Sequence, residues 1–192
     1  MNIIDPEKIL LRSRLLAALN EDEQLARAID LLASALRQGG KVLVFGNGGS
    51  ATQSSHFAAE LVNKFYFRRP ALPALALAAD MANVTSIAND EDFRVIFSRQ
   101  VEAFGRPGDT ALGITTSGTS ANVLLGLAKA RETGLTTIAL AGSRLQELQA
   151  IPVDALVAVA AADTPAIQEM HLFALHAMAE AIEMKLFGGK HG

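Results

Sequence analysis

From residue 41 onward, short runs of strand type alternate with stretches of helical apolar spacing, and no other feature narrows the possible folds as much. KVLVF at 41–45, residues 74–78 after Pro73, and residues 109–115, 135–140 and 154–159 read as strands. Between and after them, helices are expected from the loop at 46–50 to about 65, over 91–104, from about 121 to 134, and over 165–187, with a loop or short helix at 80–90. Strict alternation of this kind predicts an α/β fold of three layers, a doubly wound parallel sheet of about five strands with helices on both faces. Ligands of such sheets bind beyond the carboxyl ends of the strands. Two helices precede the first strand. Asp5-Pro6 opens one over 5–19, with Ile9, Leu10, Leu16 and Leu19 on its apolar face; the other, over 21–37, carries Leu25, Ile29, Leu32 and Leu36 and stops at Gly39-Gly40. This pair is expected to pack on a neighbouring subunit or to cover an edge. The 192 residues read as one domain, with N-terminal helices at 1–38, an α/β core at 39–187 and a fraying tail at 188–192.

Composition excludes several classes of function. The net charge of −3, without a block of like charge, offers no footprint for nucleic acid or for an anionic membrane surface. Any anion must therefore be met locally. The chain has no cysteine, so disulfides and thiolate chemistry are excluded, and a metal would have to be held by His, carboxylate or amide. MNIIDPEKIL is acidic where a signal peptide would be basic and then apolar, and the most apolar region, 71–82, is short and interrupted by Pro73 and Asp80. The expected location is the cytoplasm.

Local anion binding has an obvious seat in DTALGITTSGTSAN, residues 109–122. An apolar strand bends around Gly118 and gives way to helical spacing at Val123, Leu124, Leu127 and Ala130. The bend carries Thr115, Thr116, Ser117, Thr119 and Ser120, five hydroxyls within six residues, beside the free N–H groups and positive dipole of a helix start. A phosphate monoester suits such a loop. The plainer alternative is that Ser120 caps the helix and the rest are turn residues. A second strand-loop-helix unit carries Asn47, Gly48, Gly49 and Ser50, where glycines let backbone N–H groups approach a ligand. Its spacing matches neither the Walker pattern nor GxGxxG, so no nucleotide is expected.

Acid-base candidates stand on two helices. His56 and Glu60 are one turn apart on one face, able to share a metal or to act as paired acid and base, although HxxxE is also a common surface pair. On the last helix, Gln168 and His176 are eight residues apart and so about 80° apart around the axis, close enough to flank one centre. His171 reads as a partly buried helix residue, and His191 as a solvated one in the tail.

At this point a resemblance becomes specific. FGNGGSATQSSHFAAEL, LPALALAAD, IANDEDFRVIFSRQVEAFGRPGD, GITTSGTSANVL and IQEMHLFALH, spread in order over about 40–187, resemble the phosphoheptose isomerases of the sugar isomerase (SIS) superfamily. The resemblance implies a flavodoxin-like sheet, a homotetramer with active sites at subunit interfaces, and interconversion of sedoheptulose 7-phosphate with D-glycero-D-manno-heptose 7-phosphate on the way to lipopolysaccharide heptose. It places phosphate on Thr115, Thr116, Ser117 and Ser120, and sugar contacts on Asn47 and Ser50 of the glycine loop, with Asp90 in an Asn-Asp motif and Gln168 also at the substrate. It also places one zinc ion per subunit on His56, Glu60, Gln168 and His176, and makes Glu60 and His176 the acid/base pair of an enediol mechanism. A metal-free arrangement in which those four side chains hydrogen-bond one another is the alternative. The chain departs from the family at Gln53 (usually Asp), Lys64 (usually Arg), Thr115 and Thr119 (Ser and Asn), and Pro165-Ala166, where an Arg usually precedes Ile-Gln-Glu. A relative of another class, an adaptor that binds the bacterial replication initiator, shares the fold but lacks the helix Glu and the second helix's His. This chain keeps both.

Overall fold

The computed structural model describes residues 3–188. Residues 189–192, and with them His191 and nearly all of the expected tail, lie outside the described residues. Five strands, β1 (Val42–Gly46), β2 (Ala74–Ala76), β3 (Thr110–Thr115), β4 (Thr136–Ala141) and β5 (Ala155–Ala158), form one parallel sheet in the order β2-β1-β3-β4-β5. That order is flavodoxin-like, and its reversal falls between β1 and β3. β1 and β3 are buried at every position, as strands covered on both faces must be.

Side-chain alternation along the strands builds two cores. Val42, Val44, Leu112, Ile114, Ile138 and Leu140 point to one face, where they pack on α2 (Glu23–Arg37), α3 (Gly49–Val62) and α7 (Thr164–Phe187). Leu43, Phe45, Ala111 and Ala139 point to the other, against α5 (Ile96–Phe104) and α6 (Ala121–Glu132), with α4 (Met81–Asp90) packed alongside. Thus α3 and α7 are neighbours on one face. Because β1 pairs with β3 through Gly46 and Ile114, the loops that follow the two strands emerge side by side.

The N-terminal helices divide their work. α1 (Pro6–Asn20) starts on the Asp5 side chain, which accepts the Glu7 N–H. It buries Leu15 and Leu19, and Leu15 meets Ala166, Ile167 and Met170 at the start of α7, where Arg12 also pairs with Glu169. Ile9 and Leu10, expected on the apolar face, are about half exposed at 52% and 51%. By contrast α2 belongs to the core of the sheet, and Gln24 Oε1 accepts the Leu156 N–H at 3.4 Å, so this helix covers the β5 edge.

Besides shifts of one or two residues at element ends, three boundaries differ from the sequence reading. Residues 80–90 form a full helix, because Asp80 accepts the Ala82 and Asn83 N–H groups. The helix expected over 91–104 starts with a 3-10 turn at Phe93–Val95, where Asp92 accepts the Arg94 N–H, before α5 proper. The third ends early: α3 stops at Val62 rather than near 65, because the N–H groups of Phe65, Tyr66 and Phe67 turn away to the Glu183 carboxylate of α7.

Candidate active site

β3 delivers Thr115 to the carboxyl rim of the sheet, where the chain turns on Gly118 at φ +70°. A Cβ at residue 118 would overlap the Arg144 carbonyl, so both backbone angle and space require glycine there. Thr115 Oγ1 lies 3.0 Å from Ser120 Oγ and 3.3 Å from Ser117 Oγ, and the two serines are 3.4 Å apart. Gly118 N–H donates to Thr115 Oγ1, and both the N–H and the hydroxyl of Thr119 donate to Ser117 Oγ. Ser120 occupies the N-cap position of α6, yet its side chain makes no cap bond. The capping alternative is therefore not what this hydroxyl does. Three hydroxyls gather instead at the positive end of a helix. Thr116 stands apart from them, half-buried, with its carbonyl packed on Gly142.

The glycine loop is tied to this cluster by a pair of amides. Asn47 and Asn122 exchange two hydrogen bonds of 2.8 Å, and Asn122 Oδ1 also accepts the Val123 N–H. Each amide fixes the orientation of the other. Ser50 is buried at the first turn of α3. A Cβ on Gly49 would come within 2.5 Å of Gln168 Nε2, so this glycine exists to let the Gln168 amide lie on the loop. Gln168 also receives the Gln53 amide on its backbone carbonyl at 2.7 Å. Asp90 is placed differently: it ends α4 at an exposed position, where it accepts a hydrogen bond from Asn89. No hydrogen bond among the described residues joins it to either loop.

Further along the same two helices, His56 and His176 face each other with Nε2 atoms 2.8 Å apart, their rings crossing at 66°. One ring must donate and the other accept. Glu60 Oε1 is 3.4 Å from His56 Nε2, and the Phe65 ring lies 5.6 Å from the His176 ring. His56, Glu60 and His176 thus come together. Gln168 lies against Gly49 instead. The donors suit zinc in kind, but two imidazole nitrogens at 2.8 Å are closer than the roughly 3.3 Å that follows from tetrahedral Zn–N bonds of about 2.0–2.1 Å. Among the described residues, no three His, Cys, Asp or Glu side chains are gathered as an enclosed ion needs. His56 and His176 are within hydrogen-bond distance and Glu60 lies beside His56, while Gln168 stands apart, so the four side chains do not form one hydrogen-bonded set.

Against this geometry, the SIS domain family model matches residues 11–142. The phosphoheptose isomerase of Thermodesulfovibrio yellowstonii is 48% identical over 158 residues, covering 82% of this chain and 78% of the relative. The chain belongs to the phosphoheptose isomerase family. Its relative in Synechocystis is 46% identical over 165 residues, which is 84% of this chain and 83% of that one. Solved phosphoheptose isomerases agree in fold: that of Neisseria gonorrhoeae superposes with a TM-score of 0.85 at 36% identity, covering 92% of this chain and 95% of its own. That of Francisella tularensis gives 0.86 at 35%, covering 92% of each.

In this neighbourhood Asn122 escaped the sequence reading, and His171 is more deeply buried than expected. Asn122 is 3% exposed and holds Asn47; its signal was an amide in the first turn after a hydroxyl loop, where a polar residue should face solvent. His171 proves fully buried rather than partly so, its Nε2–H donating to the Ala141 carbonyl at 3.2 Å while Nδ1 has no partner. Burial pushes its pKa down to about 4, against a smaller upward pull from that carbonyl. It is a neutral core residue.

Proposed function

We propose that this protein interconverts sedoheptulose 7-phosphate and D-glycero-D-manno-heptose 7-phosphate. The observation that carries the reading is the meeting of Glu60, His56 and His176 on the two helices whose starts flank a hydroxyl-lined anion loop. Thr115, Ser117 and Ser120, with the N–H groups opening α6, take the phosphate. Asn47, Ser50 and Gln168 orient the sugar. From Gly49 to His56 is seven residues, about 10 Å along α3, so the reacting end of the sugar is held away from its phosphate.

Isomerisation of the ketose removes a proton from C1 and returns one to C2, while the hydroxyl proton passes from O1 to O2 through an enediol. Glu60 and His176 form the acid/base pair for these transfers, each worth on the order of 10²–10⁴ in rate. His56 shares a hydrogen bond with His176 and lies 3.4 Å from Glu60, so it stands between the two. His56, Glu60 and His176 are the donors that would hold a zinc ion, one per subunit, once the two imidazoles parted from their 2.8 Å contact, with Gln168 joining if it left Gly49; when bound the ion would polarise the sugar oxygens. The side chains of His56 and Glu60 remain 43% and 22% exposed, whereas an enediol must be kept from water. A homotetramer in which a neighbour covers this face is therefore part of the proposal. A cytoplasmic role in making heptose for surface polysaccharide completes it, and no described helix is long and apolar enough to cross a membrane.

A coupled assay of sedoheptulose 7-phosphate conversion, run after chelation and again with zinc added, tests the reading. Glu60→Gln and His176→Gln should each lower turnover at least 100-fold with the fold intact. His56→Ala should lose any zinc that elemental analysis finds in the native protein. Absence of conversion with zinc present, together with binding of the replication initiator, would replace the isomerase by the adaptor.

A further inference from the structure

Arg69 and Glu183 form an ion pair in which both side chains are 1% exposed. Among the described residues no hydrogen bond joins either residue to a side chain of the site described above, yet most of the bonds they make run to the backbone that carries it. Glu183 lies seven residues beyond His176 on α7, so it shares that helix face two turns further along. Its carboxylate accepts the N–H groups of Phe65 at 3.0 Å, Tyr66 at 2.7 Å and Phe67 at 3.4 Å, three successive amides wrapped around one anion. Phe65 is the residue whose ring lies on His176. Arg69 Nε donates to Glu183 Oε1 at 3.1 Å, and its two terminal nitrogens donate to the carbonyls of Leu61 at 2.7 Å and of Glu60 itself at 2.8 Å. One guanidinium therefore holds the backbone of Glu60 on α3 and the carboxylate on α7 together.

We propose that the Arg69–Glu183 pair is a brace that sets the spacing and register of α3 and α7, making both residues positioning residues for the Glu60/His176 acid/base pair. The proposal rests on the isomerase reading above. Burying two charges is costly, and apolar residues of similar volume would fill the space at least as favourably. What they would not supply is directed bonds. The planar fork of Arg69 reaches three carbonyls and a carboxylate at once, which a lysine ammonium does not. Misplacement of reacting groups by about 1 Å costs up to about 100-fold in rate. None of the bonds of the brace reaches the phosphate loop, so substrate binding should be spared.

Two variants separate positioning from simple stabilisation: Arg69→Lys, which keeps the charge, and the double variant Arg69→Met with Glu183→Leu, which keeps an apolar, well-filled space. For variants with native circular dichroism, kcat should fall about 10- to 100-fold while KM stays within about threefold. The ring resonances of His176 should shift as Phe65 moves. A folded double variant with kcat within twofold of wild type and unchanged His176 resonances would overturn the brace, as would equal losses in kcat and 1/KM. Absence of wild-type turnover would instead count against the isomerase reading, and the His176 resonances would still report on the brace.

Discussion

At the scale of single residues, Ser120 separates binding from architecture. A serine whose hydroxyl caps a helix contributes about 1 kcal/mol, but this hydroxyl turns to Thr115 and Ser117 and caps nothing. Ser120→Ala should therefore leave the thermal midpoint unchanged and raise KM for the sugar phosphate about tenfold, the weight of one hydrogen bond to a charged group. A fall in stability with unaltered KM would return the residue to a capping role. His171 supports the opposite kind of test. Its folded-state pKa of about 4 lies below the ordinary 6.5, so between those values the unfolded chain binds a proton that the native protein refuses. The stability it contributes is complete above pH 6.5 and is lost as pH falls toward 4, about 1.4 kcal/mol per unit and about 3 kcal/mol in all. In urea titrations at pH 7 and pH 4.5, His171→Leu should lose less stability on acidification than the wild type does.

At the scale of elements, what the sequence revealed depended on how local each cause is. The hydroxyl cluster was legible because Thr115, Ser117 and Ser120 lie within one turn of chain, and strand, bend and helix announce themselves by period. His56 and Glu60 were legible as a pair, one turn apart. That His176 should meet them within hydrogen-bond distance depends on α3 and α7 sharing a sheet face, which no local pattern encodes. The end of α3 was misread for the same reason: nothing between Val62 and Phe65 forbids helix, and Glu183, more than a hundred residues away, decides otherwise. Asp90 was carried by its motif alone, and it stands exposed at the end of α4.

For the molecule as a whole, the apolar surface left uncovered by α1 and α7 gives the proposed assembly a physical basis. Ile9 and Leu10 are about half exposed, and on α7 Phe173 and Met184 are 47% and 54% exposed. Light scattering should report about four times the 20.3 kDa chain, and Ile9→Asp with Leu10→Asp should lower that mass and the turnover together. A stable, fully active monomer would sink the assembly. The parallel sheet has a further consequence. Because α3 and α6 each begin shortly after a strand's carboxyl end and neither start is closed by the side chain of its N-cap residue, whereas Asp80 and Asp163 cap α4 and α7, two helix starts are left open on one rim of a chain whose net charge is −3. The pull on an anion thus comes from peptide groups that every residue except proline supplies. That pull belongs to the topology rather than to any one side chain, so exchanging a single hydroxyl or amide on the rim should weaken the hold on an anion without abolishing it.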